Sequence, residues 1–295
     1  MAAPPSHDPR ITPARPDLAA AYLADTVAAA RYAEGEAFHI NASAAALRQE
    51  PRTDAPLLSE LLHGENVTVY EIRGDWAWGQ AARDGYVGYL RRDALAPGAR
   101  DPSHMVTTLF AQVYSAPDLK APARLTVPLA GLLVVARTEE EEPFAPLAAG
   151  GGWVSRRQIA ALSAPVRDPV AVAELFLGAP YLWGGRTALG LDCSALVQLA
   201  LALAGIALPR DSDLQRAACQ EELATPVARS EARRGDIAFF PGHVGLMCDG
   251  TRLLHANATH MAVSTDPLDE VVARLAREHD PAFLGLYRPR VRILA

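Results

Sequence analysis

Tyr181-Leu182-Trp183-Gly184-Gly185-Arg186-Thr187-Ala188-Leu189-Gly190-Leu191-Asp192-Cys193-Ser194 runs directly into the apolar stretch Ala195 to Ala204. A cysteine placed where a glycine-rich loop becomes a helix meets unpaired backbone N–H groups and the positive end of the helix dipole. Both favour a thiolate. Leu196, Val197, Leu199, Ala200, Leu203 and Ala204 give that helix a broad buried face, Gly205 ends it, and Asp192 is suited to N-cap it. Cys193 is therefore the expected nucleophile. Cys219 and Cys248 lack this setting and read as small buried hydrophobes.

A thiol nucleophile needs a group that takes its proton and returns it to the leaving amine, which histidine does near neutral pH. Of eight histidines, His243 and His255 lie on adjacent strand candidates, His243 to Cys248 and Arg252 to Ala256. The turn between them contains Asp249-Gly250. A two-residue turn sets the two histidines on opposite faces. A three-residue turn, Asp249 to Thr251, sets His255 opposite Gly245 and diagonal to His243, on one face and within imidazole reach. The three-residue turn is the expectation, with His255 orienting His243 as the third member of a triad. His260 is assigned to the hairpin's surroundings. No carboxylate or cysteine stands at ligand spacing from the two histidines, so no metal and no cofactor are expected.

Tyr181 to Ser194, the Gly235-Asp236 strand start, His243-Val244-Gly245 and His255-Ala256 resemble the NlpC family of papain-like cysteine peptidases, which cut bacterial cell-wall peptides. Tyr181 lies 12 residues before Cys193, His243 50 after it, and His255 a further 12 on, as in that family. The resemblance implies that the Tyr181 hydroxyl serves the oxyanion region with the backbone N–H of Cys193. It also implies that Arg210, Ser212 and Gln215 line the groove. Family members commonly carry glycine where this chain has Ala195, a change expected to affect only local packing.

Upstream, Val67 to Ile72, Trp76 to Gln80 and Gly85 to Leu90 read as strands, broken by the turns Arg73-Gly74-Asp75 and Arg83-Asp84-Gly85. This is the pattern of a small barrel. Gly88 to Leu95 is echoed by Gly152 to Ile159 at an offset of 64 residues, and Gly64 with Val67 to Val69 more loosely by Gly131 with Leu133 to Val135. Two tandem barrels follow from this, resembling bacterial SH3-like domains. Trp76, Trp78, Tyr86 and Trp153 are expected as core or hairpin pairs, and Glu139 to Glu142 as a solvated loop. Ala164 to Pro169 is a linker. Leu18, Tyr22, Leu23, Val27 and Ala30 recur at helical steps after the proline-rich arm Met1 to Pro16, with a stop at Gly35. The expected architecture is α+β: an arm and helix over 1–36, barrels over 37–98 and 99–165, and a papain-like peptidase domain over 166–295.

With 295 residues, half of them hydrophobic, and a net charge of −6, the chain can bury large cores and offers no concentrated positive surface for nucleic acid or anionic membrane. No apolar run is long enough to span a membrane. The N-terminus lacks the apolar stretch of a secretory signal, and three cysteines make no disulfide framework, so the cytoplasm is expected. A monomer is favoured.

Two barrels, no signal, and Arg186-Thr187 ahead of Leu191-Asp192-Cys193-Ser194 look like the γ-D-glutamyl-L-diamino-acid endopeptidase branch of the family. This implies cleavage after D-glutamate in L-Ala-γ-D-Glu-diaminopimelate during wall-peptide recycling, with Asp192 and Ser194 holding the free amine of L-Ala. Tyr86 and Asp84, on a first-barrel turn, are the expected assistants. The rival readings are acyl-transfer or amidase chemistry by the same Cys-His pair, and a wall-binding adaptor without catalysis.

Overall fold

The computed structural model describes residues 7–137 and 142–290. The expected loop Glu139 to Glu142 therefore falls largely outside the described residues, as do the first six residues of the arm. The chain forms two compact units: Met1–His104 with Ala111–Arg157, and Met105–Phe110 with Gln158–Ala295. The second unit thus begins a few residues before the expected boundary at 166. It also takes in one short segment from the second barrel's expected range. No described helix is long and apolar enough to cross a membrane.

In the first unit, strands Glu36–Ile40, Ala44–Arg48, Leu57–Leu62, Asn66–Arg73, Trp76–Ala81, Val87–Arg91 and Leu95–Pro97 make one antiparallel sheet. Its alternating inner positions, among them Ile40, Leu47, Leu61, Val67, Val69, Ala77 and Leu90, form the barrel core. The two-residue turn Gly74-Asp75 pairs Arg73 with Trp76, and Gly74 takes the positive φ such a turn demands. Trp78 faces Tyr89 across the ladder, and Trp153 faces Tyr114 in the second barrel; these are the hairpin pairs the sequence suggests.

The repeat is visible as structure. The unit of strand, 3-10 turn and strand at Val87–Arg91, Arg92–Ala94 and Leu95–Pro97 recurs as Trp153–Ser155, Arg156–Gln158 and Ile159–Ala161, the two 3-10 turns starting 64 residues apart. Around the second copy, strands Phe110–Tyr114, Ala123–Pro128 and Phe144–Pro146 complete a small four-stranded sheet with Trp153–Ser155.

The expected N-terminal helix does not form. Leu18–Ala20 is instead a short strand between Ala14–Arg15 and Tyr32–Ala33, followed by a single 3-10 turn at Ala21–Leu23. Leu18, Ala20 and Leu23 do bury an apolar face, against Tyr70, Trp78 and Val87 of the barrel. Alanine-rich sequence satisfies a helical and an extended period about equally, and docking decides between them. The docking is anchored by Arg15, whose guanidinium lies 4.3 Å from the Trp78 ring and donates to the Tyr89 hydroxyl at 2.7 Å and to Glu71 at 2.7 Å.

Gly64 sits at φ +78° in the turn after the strand Leu57–Leu62, and a Cβ there would collide with the backbone carbonyl of Leu132. The neighbouring carbonyl of His63 accepts from Leu132 N–H at 2.7 Å. Gly64→Ala should cost about 2 kcal/mol or more through backbone strain and lost contact. Urea unfolding monitored by tryptophan fluorescence measures this, and an unchanged midpoint would contradict the close approach.

Candidate active site

The second unit carries an antiparallel sheet in the order Ala224–Val227, Gly285–Pro289, Ile237–Phe240, His243–Met247, Arg252–Asn257, Ala262–Pro267. Helix Cys193–Leu203 packs against it, and Cys193 is the first helical residue. All but one of the residues of this helix are buried, so it is anchored all round. The linker at 164–168 leads into helix Pro169–Glu174, N-capped by Asp168 with proline at its first position.

Asp192 N-caps the nucleophile helix as expected, accepting from Ala195 N–H at 2.9 Å. It does far more than cap. The same carboxylate accepts from Gly184 N–H at 2.9 Å, from the Ser194 hydroxyl at 3.2 Å, and from both terminal nitrogens of Arg210 at 2.9 and 2.6 Å. The buried Gln215 donates to the carbonyls of Ser194 and Pro209, fastening the helix start to the loop that follows the helix. Burial opposes ionisation of Asp192, but the Arg210 guanidinium and the backbone donors of Ala195 and Gly184 hold its pKa below the ordinary value.

These contacts correct several expectations. Five donors converge on the Asp192 carboxylate, so besides any contact with substrate it is a structural anchor of the loop and the helix start. The Ser194 hydroxyl likewise donates to Asp192 and accepts from Arg210 at 2.9 Å. Arg210 and Gln215, expected on the groove wall, are 1% and 0% exposed and belong to the scaffold under the loop. Ser212 opens helix Ser212–Ala218 and is partly exposed. Ala195 is fully buried, with its amide in the cap, so the missing glycine is absorbed by packing. Tyr86 is a core residue of the first barrel, and Asp84 accepts from its backbone N–H at 3.2 Å.

The two histidines lie as the three-residue turn requires. Leu246 pairs with Leu254 and Met247 with Leu253, while Cys248 N–H donates to the Arg252 carbonyl at 2.8 Å, which leaves Asp249-Gly250-Thr251 as the turn. Asp249 accepts from the backbone N–H of Thr251 and Arg252 and so closes it. His243 Nε2 and His255 Nδ1 are 2.7 Å apart, and the rings meet edge to face with centroids 5.0 Å apart.

Cys193 faces this strand. Its sulfur is within hydrogen-bonding reach of the Val244 and Ser194 backbone N–H groups, and both donors favour its thiolate. Burial is the larger effect. Together with the Asp192 charge it pushes the thiol up to about 12, while burial and the neighbouring His255 and Arg274 push His243 down to about 3. Burial thus opposes the thiolate that the helix start favours, because separated charge in a buried site is costly. Burial, and the proximity of Cys193 and Asp192, keep the Tyr181 phenol protonated and able to donate.

The sequence missed Asp266. It accepts from His255 Nε2 at 3.2 Å, from His260 Nε2 at 3.1 Å and from Arg274 at 2.9 Å. The signal available was an acidic residue on the next strand, diagonal to His255, whose pairing partner is Ser264. No group of three or more His, Cys, Asp or Glu among the described residues is arranged to hold a metal ion.

Comparison with known proteins follows the same division. Residues 178–275 match the NlpC/P60 family, and residues 47–95 match the bacterial dipeptidyl-peptidase SH3 domain. The chain is 28% identical over 245 residues to dipeptidyl-peptidase 6 of Lysinibacillus sphaericus, covering 76% of this chain and 89% of that one. It is 25% identical over 240 residues to a γ-D-glutamyl-L-lysine dipeptidyl-peptidase of Bacillus subtilis, covering 75% and 79%. In structure it is similar to an NlpC/P60 family protein of Bacillus cereus, with a TM-score of 0.71 at 20% identity, over 87% of this chain and all of that one.

Two outcomes follow from the buried groups. Removing one partner of the Asp192–Arg210 pair leaves a buried charge uncompensated, so Arg210→Met should cost about 3–5 kcal/mol. The further change Asp192→Asn should restore part of it, and a double-mutant cycle by urea unfolding reads the coupling. The histidines set a pH dependence. His243 and His255 have folded pKa values lowered to about 3 and about 4, so below their ordinary value of 6.5 the unfolded chain binds protons that the folded chain refuses. Stability is then level above about pH 6.5 and falls from there towards pH 4, by up to about 1.4 kcal/mol per pH unit for each histidine. A urea midpoint that stayed constant from pH 7 to pH 4.5 would contradict the buried neutral pair.

Proposed function

We propose that this chain, whose residues 178–275 match the NlpC/P60 family, is a cysteine peptidase of cell-wall peptides that hydrolyses the γ-D-glutamyl bond to a diamino acid in peptides with a free N-terminal L-Ala. The observation that carries the reaction class is the 2.7 Å contact between His243 and His255 on the strands beside the buried thiol of Cys193. The substrate class is supported by the relatives that align over three quarters of the chain, barrels included, and carry γ-D-glutamyl and dipeptidyl-peptidase names.

In this reading His243 takes the proton of Cys193 as sulfur bonds to the scissile carbonyl carbon. The Cys193 N–H and the Tyr181 hydroxyl donate to the oxygen on which negative charge develops. The protonated His243 then gives its proton to the leaving α-amine of the diamino acid, leaving a thioester on Cys193. Water, deprotonated by His243, attacks that thioester and releases L-Ala-γ-D-Glu with the free thiol. In this reading Asp192 and Ser194 help hold the free amine of L-Ala, while Asp192 also fixes the loop Gly184 to Leu191 through the Gly184 amide. Peptides released from the wall and bound for recycling are the substrates this specificity suits.

Incubation with L-Ala-γ-D-Glu-diaminopimelate and L-Ala-γ-D-Glu-L-Lys, each with a free and an acetylated amine, tests the reading by mass spectrometry. The free peptides should yield L-Ala-γ-D-Glu, the acetylated ones at least about tenfold less, and Cys193→Ala none. Cleavage of acetylated and free peptides at equal rates would overturn the demand for a free terminus. Failure to cut either free peptide would overturn the substrate.

A further inference from the structure

Asp266 stands at the end of a short structural sequence whose parts all serve to aim it. It is the residue before Pro267, a position that favours extended backbone, and it lies on strand Ala262–Pro267 with its side chain diagonal to His255. Pro267 ends the strand and caps helix Leu268–Leu275, whose last turn returns Arg274 to within 2.9 Å of the Asp266 carboxylate. On the other side, Asn257 accepts from His260 N–H at 2.9 Å and donates to the Ser264 hydroxyl at 2.9 Å. This fixes the turn that brings the His260 ring to the same carboxylate. Arg274 and His260 therefore hold a largely buried carboxylate ionised and pointed at His255 Nε2.

We infer that Asp266 is a positioning residue of the catalytic centre, holding His255 in the tautomer protonated at Nε2 and thereby reserving Nδ1 of His243 as the base for Cys193. The step from one atom to the next is forced by the pairing of donors with acceptors. A carboxylate only accepts, so the nitrogen 3.2 Å from it must carry the hydrogen. Neutral His255 then has its lone pair on Nδ1, and that lone pair accepts from His243 Nε2–H across 2.7 Å. Neutral His243 is left with its lone pair on Nδ1. In the reverse arrangement a lone pair on His255 would confront the carboxylate, and His255 Nδ1–H would occupy Nε2 of His243, leaving Nδ1 protonated and unable to take the proton from sulfur. When His243 becomes an imidazolium during attack, the same carboxylate stabilises the charge through the intervening ring and need not itself accept a proton.

The inference rests on reading His243 as the base in the proposed reaction, and its test separates the two. In ¹⁵N-histidine-labelled full-length protein at pH 7 without substrate, long-range ¹H–¹⁵N correlation should show His255 and His243 both protonated at Nε2 and bare at Nδ1. A wild-type His255 protonated at Nδ1 overturns the inference, whether or not any variant folds. In Asp266→Asn the amide can donate as well as accept, so the tautomers should mix. Alkylation of Cys193 by iodoacetamide and kcat on the tripeptide should both fall by roughly 10- to 100-fold, KM staying within about twofold. Asp266→Glu should recover part of the loss. A folded Asp266→Asn protein with lowered melting temperature but unchanged tautomers and kcat would show a purely structural carboxylate and overturn the inference. Wild-type protein with the expected tautomers that cuts neither tripeptide would sink the substrate reading alone.

Discussion

The carboxylate of Asp192 is the constraint on which the catalytic unit depends. It caps the helix that begins with Cys193, receives the Gly184 amide from the opposite end of the glycine-rich loop, and is bridged by both terminal nitrogens of a fully buried Arg210. A buried ion pair of this kind adds little net stability over an apolar replacement, because desolvating two charges consumes most of their attraction. Its effect is on geometry. Five donors arriving from three separate points of the chain leave the loop, the helix start and the segment after the helix one mutual arrangement, and Cys193 inherits it.

The second requirement is met by the sheet. The turn Asp249-Gly250-Thr251 fixes the register of the two histidine strands, and a shift of one residue would turn His255 to the other face. Burial then decides the protonation of what the register has assembled. Burial lowers the pKa of both rings and raises that of the thiol, so desolvation opposes separated charge in the site. The Val244 and Ser194 amides near sulfur are donors already in place, and they need no rearrangement when charge appears.

Much of this was legible in the sequence, for reasons that differ from residue to residue. Cys193, Asp192 as a cap, and the odd-numbered histidine turn were readable because each depends on local rules: helix starts, capping and the twofold period of strands. The 64-residue repeat was readable because a strand, 3-10 turn and strand unit keeps its spacing while its side chains diverge. The N-terminal helix was not, since Leu18, Ala20 and Leu23 bury an apolar face that only the barrel surface, with Trp78 and Val87 waiting, tells apart from a helical one. Arg210 and Gln215 were placed on the groove wall because sequence shows which groups are near the nucleophile but not which of them are buried beneath the loop. The weight of burial at Cys193 was not readable because a helix start is a local signal, whereas desolvation is set by everything packed around it. Asp266 escaped because its partner His255 lies 11 residues upstream across a strand pairing that no motif announces.

The central claim is that Cys193, a buried sulfur, is activated by His243. The rate of iodoacetamide labelling at pH 7, resolved by peptide mass spectrometry for Cys193 and the more accessible Cys248, tests it in wild type and in His243→Ala. The structure predicts that Cys193 is labelled faster than Cys248 in wild type and slower than Cys248 once His243 is removed. Faster labelling of Cys248 in wild type, or a Cys193 rate indifferent to His243→Ala, would contradict it.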